Sequence, residues 1–160
     1  MNVNTSNQVA DLIKGFYHPD KQYRASCCKN IVHFGSDAIP SLLPLLNDAD
    51  WRVRYRAAET LGLLHAEAAV MNLLSACDDE KDHVRYMAAK SLGAIKSQQA
   101  VPTLIRLLTD EHPYTRGIAA TGLLAIGDPQ GISGVSSAIQ QESDPVIKEK
   151  MKQSLNALNL

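Results

Sequence analysis

Val53–Leu64 reads VRYRAAETLGLL, and the chain writes it twice more: Val84–Ile95 is VRYMAAKSLGAI and Thr115–Ile126 is TRGIAATGLLAI. Superposing Arg54, Arg85 and Arg116 brings Ala57-Ala58, Ala88-Ala89 and Ala119-Ala120 into register, with Leu61, Leu92 and Leu123 behind them. The period is 31 residues, inside the window of roughly 20–50 where self-similarity means stacked supersecondary units. Apolar residues recur at helical spacing within each copy, and a mid-helix Ala-Ala pair shortens the distance at which a neighbouring helix can pack. No single hairpin buries its own apolar face, so stability must come from stacking on neighbours. The repeat predicts an all-α solenoid of about five helical hairpins.

The period divides the whole chain of 160 residues as one domain. Residues 5–17 read as a half-repeat, with Val9, Leu12, Ile13 and Phe16 matching Ile39, Leu42, Leu43 and Leu46 further on, and with Ser6 or Asn7 as its N-cap. Full repeats follow at 19–48, 49–79, 80–110 and 111–142, each a first helix carrying the Arg and Ala-Ala pattern and a second helix carrying a leucine stripe. Residues 143–160 form a capping helix opened by Asp144-Pro145. Gly35 should end the first helix of its repeat, where φ > 0 is needed. Ser36, Asp50 and Asp82 are the expected N-caps of the helices after them. Pro40 and Pro102 fall in first turns, where a missing N–H is harmless, but Pro44 lies deeper and should strain or kink its helix. In the second helix of 111–142, Gly131, Ser133, Gly134, Ser136 and Ser137 lower helix propensity, so that helix is expected to be the loosest.

Composition bounds the function. Hydrophobic residues make up 45 %, charged residues 21 % and aromatics 5 %, as in a soluble helical protein. A formal net charge of −1 speaks against unspecific nucleic-acid binding, which needs many unpaired cations. No apolar run reaches the roughly 18 residues of a membrane span, and the polar N-terminus is not a signal peptide. Cys27, Cys28 and Cys77 have no metal-ligand or CxxC spacing, and the adjacent pair stands where later repeats place Ala-Ala. They read as small buried residues in a reducing compartment, and the expected location is cytoplasmic.

The units DADWRVRYRAAETLGLL (48–64), DDEKDHVRYMAAKSLGAI (78–95), AVPTLIRLLTD (100–110) and AIGDPQG (125–131) resemble HEAT repeats of the phycobilisome-lyase type across residues 19–158. That resemblance implies a right-handed α-solenoid. Its relatives include lyase subunits, hydroxylases, DNA-repair enzymes and scaffolds, so the fold alone names no activity. A di-iron hydroxylase of this family requires His-Glu dipeptides; here His65 precedes Ala66, and Glu111-His112 is reversed. No residue matches a lyase activity specifically.

Candidate sites were read from the same register. Arg24, Arg54, Arg85 and Arg116, extended by Lys148, form a ladder. Asp48, Asp79, Asp110 and Glu142 stand six residues before the last four rungs, where an acid can accept from the Arg or cap the next helix. This favours a structural ladder over a phosphate-binding one. Trp51, Arg52, Tyr55 and Arg56, continued by His83, Tyr86 and Tyr114, form a cationic-aromatic patch that is either an interface hot spot or packed on the preceding turn. On the second helices, Ser41, Asn72, Thr103 and Gly134, with Arg106 one turn on, are expected to line the concave side if the stack curves as its relatives do. The five histidines lie in different repeats, near helix ends, without zinc-like spacing. The sequence thus predicts a non-catalytic module without cofactor that binds a protein or peptide through Trp51, Arg52, Tyr55, Arg56 and Tyr86 or through Asn72, Thr103 and Arg106. The alternative is an accessory subunit of the phycobilin-lyase kind. Membrane and nucleic-acid partners are not expected, and a homo-oligomer through the solenoid ends is open.

Overall fold

Aspartates start four of the helices and left-handed residues follow four of them. Asp20, Asp50, Asp128 and Asp144 each sit in extended backbone and accept amide N–H bonds from the first turn of the helix that follows, satisfying donors that have no partner within the helix. At the far ends Gly35, His65, Lys96 and Gly127 take positive φ of 58°, 48°, 61° and 79°. The computed structural model describes residues 3–159, and every regular element among them is helical. In order these are α1 (Val3–Lys14), α2 (Lys21–Val32), α3 (Ile39–Leu42), α4 (Trp51–Leu63), α5 (Val70–Ala76), α6 (Asp82–Ile95), α7 (Val101–Leu107), α8 (Pro113–Ile126), α9 (Pro129–Gln141) and α10 (Pro145–Asn156). Short 3₁₀ turns lead into or out of several of them.

Two layers result, as an α-solenoid requires. The first helices α2, α4, α6, α8 and α10 pack in succession, and the second helices α3, α5, α7 and α9 form the other layer. Ala57, Ala58, Ala88, Ala89, Ala119 and Ala120 are fully buried, and the first-helix layer is the closer packed. A Cβ added to Gly93 would stand 2.6 Å from Gly122 Cα, and one on Gly62 would meet the Ser91 backbone at 2.9 Å. Leu42, Leu73 and Leu104, with no exposure, fill the space between layers.

Local expectations fare unevenly. Pro44 breaks its helix: α3 lasts four residues and yields to a 3₁₀ turn over Leu43–Asn47, because the proline ring excludes the continuing hydrogen bond. α1 starts upstream of Ser6 and Asn7, which therefore lie inside it rather than at its cap. Ser36 caps nothing, since Gly35–Ala38 is itself a 3₁₀ turn. Asp82 falls at the first helical position and turns to His83, leaving Lys81 as the cap without a side-chain bond. α9 is continuous despite its glycines, of which Gly131 serves close approach: a Cβ there would lie 2.9 Å from Leu123 Cδ2. All three cysteines are buried and unpaired. Burial pushes the Cys28 and Cys77 thiols up to about 12, so neither is a nucleophile near neutrality.

Candidate functional site

The arginine ladder comes first, because it decides which cations are free. Arg54 Nε and Nη2 donate to Asp79 Oδ2 and Oδ1 at 2.7 and 2.9 Å, while its Nη1 donates to the Asp48 carbonyl at 2.8 Å. Arg85 repeats the pattern with Asp110 at 2.8 and 3.1 Å and the Asp79 carbonyl at 2.9 Å. Arg116 does so with Glu142 at 2.7 and 2.6 Å and the Asp110 carbonyl at 2.9 Å. Each guanidinium thus holds the loop before its own helix and, through a bidentate fork, the carboxylate that closes its repeat. The acid six residues earlier meets the Arg through its main chain; the carboxylates of Asp79, Asp110 and Glu142 each serve the preceding rung. Lys148, lacking a fork, keeps just the carbonyl contact, to Glu142 at 3.3 Å. Arg116 holds the Glu142 carboxyl below its usual range, against the opposing pull of burial.

The first rung departs from this pattern. Arg24 Nη1 donates to the carbonyls of His18 and Pro19 at 2.6 and 2.8 Å. Its Nε is buried and has no partner. Asp48, in the place of Asp79, instead accepts from the Tyr17 hydroxyl at 2.5 Å and from the Asp50 amide at 2.8 Å. The Asp48 hydrogen bond is the main cause that pushes the Tyr17 hydroxyl up to about 12.

Two adjoining clefts open along the N-terminal ends of the first helices. One, of about 160 Å³, is lined by Lys21, Arg24, Trp51, Arg52, Tyr55, Arg56 and His83. The other, of about 200 Å³, is lined by Tyr55, Asp82, His83, Tyr86, His112 and Tyr114. Tyr55 and His83 are common to both. Trp51 is half-buried and packs on His83 of the next repeat, ring centroids 5.3 Å apart, so it forms a wall between the two repeats. Burial raises the Tyr55 hydroxyl. Asp82 accepts from His83 Nδ1 at 2.9 Å and lies 3.1 Å from His112 Nε2. Burial pushes its carboxyl up, but the hydrogen bonds from His83 and the charges of both imidazoles prevail and hold it below the usual range.

The predicted cationic patch is largely neutralised. Asp50 takes Arg52 in a bidentate pair, with contacts of 2.6 to 3.1 Å. Arg56 is buried, pairs with Glu59, donates to the Lys21 carbonyl and lies over the Tyr55 ring. Trp51, Arg52, Tyr55 and Arg56 do share one cleft, and Tyr86 lies in the adjoining one. Asn72, Thr103 and Arg106 stand on the second-helix layer and line neither; Asn72 and Arg106 are exposed, and Arg106 pairs with Asp78 at 2.8 Å. Sequence reading missed the open fork of Arg24 and the grouping of Asp82, His83 and His112. The one available signal for Arg24 was spacing, since Asp48 follows it one residue sooner than Asp79 follows Arg54.

A family model of HEAT repeats matches residues 9–85 and again 70–156. The chain belongs to the HEAT-repeat family. No curated protein matches this HEAT-repeat chain in sequence. Among solved structures it is similar to a chain in the complex of CpcE and CpcF of phycocyanin lyase from Nostoc sp. PCC7120. There the TM-score is 0.85 at 21 % identity, over 93 % of this chain and 98 % of that one. Two engineered proteins are also similar, with TM-scores of 0.62 and 0.59 at 19 % and 20 % identity. The alignments span 94 % and 97 % of this chain and 79 % and 78 % of theirs. At such identities the likeness is one of fold, the lyase-type HEAT solenoid. Among the described residues no helix is long and apolar enough to cross a membrane.

Proposed function

We infer that this chain is a non-catalytic HEAT-repeat module that docks a protein or peptide on the first-helix layer. The observation that carries the reading is the continuous aromatic and imidazole band of Trp51, Tyr55, His83, Tyr86, His112 and Tyr114 across three successive repeats. Trp51, Tyr55 and Tyr86, half-buried in adjoining clefts beside the exposed His83 and Tyr114, supply contact area at low entropic cost, the usual make-up of an interface hot spot. The engagement of Arg54, Arg85 and Arg116 by Asp79, Asp110 and Glu142 removes the cationic row that nucleic-acid binding would use. The test is affinity capture from the native cell extract with wild type and with the Trp51→Ala/Tyr55→Ala double variant. We expect one protein to be lost from the variant lane alone. Equal capture in both lanes would shift the site to Asn72, Thr103 and Arg106.

A second reading, an accessory subunit that completes an enzyme of the phycobilin-lyase kind, is favoured by one observation. The match to the chain from the CpcE and CpcF complex spans nearly all of both chains. A linear tetrapyrrole added to the chain with its captured partner should then develop a protein-bound absorption band. A spectrum unchanged from the free pigment removes this reading and leaves the scaffold.

A further inference from the structure

We propose that the cleft between α2 and α4 is a carboxylate-binding site, in which Arg24 takes an Asp or Glu side chain of the docked partner. The inference rests on the docking reading above and deepens it. Its basis is the molecule's own repetition. Three rungs hold a carboxylate in the Nε/Nη2 fork, at distances between 2.6 and 3.1 Å. Arg24 occupies the same register, is tied down by the same main-chain contacts through Nη1, and is 9 % exposed. Among the described residues no carboxylate fills its fork, and its Nε is buried without a partner. A buried guanidinium donor left unpaired is costly, and this side chain lines an open cleft.

The acids near Arg24 are already committed, Asp20 to the Tyr23 amide as the cap of α2. Asp48 is held by Tyr17 and the Asp50 amide, and Asp50 is saturated by Arg52 and the α4 amide. Lys21 adds a second cation at the rim, while Trp51 and Tyr55 supply an apolar wall beside it. The site therefore fits an acidic side chain flanked by an apolar one, with the acid standing where Asp79 stands in the next repeat. A planar carboxylate matches the two parallel N–H donors.

Trp51 is the sole tryptophan and lines this cleft, so its emission reports occupancy. The probes are a blocked Leu-Glu-Leu tripeptide, its Leu-Gln-Leu counterpart, and inorganic phosphate at matched ionic strength. Titrations follow Trp51 emission and the arginine Nε–H resonances in nitrogen-15 spectra. The glutamate peptide should shift Arg24 Nε–H and leave those of Arg54, Arg85 and Arg116 in place, binding about tenfold more tightly than the glutamine peptide. Arg24→Gln should abolish that preference. Tyr17→Phe frees Asp48 to enter the fork and should weaken the glutamate peptide as well, with the arginine retained. Equal binding of the two peptides, an unmoved Arg24 resonance, or an equal response to phosphate would each overturn the carboxylate assignment. The docking reading fails separately: a partner lost from Trp51→Ala/Tyr55→Ala but kept by Arg24→Gln sinks the carboxylate site alone, and a partner kept by both sinks the two together.

Discussion

Asp48 and Asp79 occupy equivalent places in successive repeats and hold different partners, so their removal should differ in cost. Asp79→Ala leaves the Arg54 guanidinium buried without its carboxylate, which costs about 3 kcal/mol by the usual penalty for breaking a buried pair. Asp48→Ala loses the Tyr17 hydroxyl and one turn amide, about 1 kcal/mol. Denaturant melts of the two variants check this, and equal losses would contradict the ladder. Glu142 adds a pH dependence. Arg116 depresses its carboxyl below the ordinary 4.5, so its contribution is whole above that value and is lost as pH falls through the lower folded value. Glu142→Gln should be less stable at neutral pH and show a shallower decline in acid than wild type. Parallel acid profiles would mean that the pair carries no proton linkage.

At the scale of the element, some of the glycines inside helices are placed by helix contacts. Gly93 faces Gly122 across α6 and α8, and the atom an added Cβ meets is backbone. Gly93→Ala must then push two helices apart, at a cost of about 3 kcal/mol. Gly131→Ala meets only the Leu123 side chain, which can rotate, so it should cost less. Thermal unfolding of both tests the order. The sequence foretold every first helix, an irregularity at Pro44 and the stop at Gly35. It did not foretell that His65 and Lys96 adopt the same left-handed stop, since neither residue type marks one. The low helix propensity of α9 was legible, but not that Gly131 faces Leu123, because propensity weighs an isolated helix and says nothing of the neighbour at its face.

Across the whole molecule, contacts run between neighbouring units, which makes stability local. Met151, 1 % exposed, seals the last repeat, and Met151→Ala should cost about 3 kcal/mol. Native-state hydrogen exchange should then quicken in α8, α9 and α10 while α2 and α4 keep their protection. A uniform loss would mean that the solenoid unfolds as one unit. The sequence by itself determined the all-α class, the repeat of 31 residues and the HEAT resemblance. All three follow from side-chain size and polarity recurring along one chain. It also brought Trp51, Arg52, Tyr55 and Arg56 forward together, since they share one turn and a half of one helix. Tertiary structure alone decided which charges are spent. The carboxylate partners of Arg54, Arg85 and Arg116 lie in the loops that close their repeats, 25 or 26 residues on, and a helical period registers only the positions along its own axis. Whether Asp48 turns to Arg24 or to Tyr17 depends on where three side chains meet in space, and the open fork of Arg24 follows from that meeting.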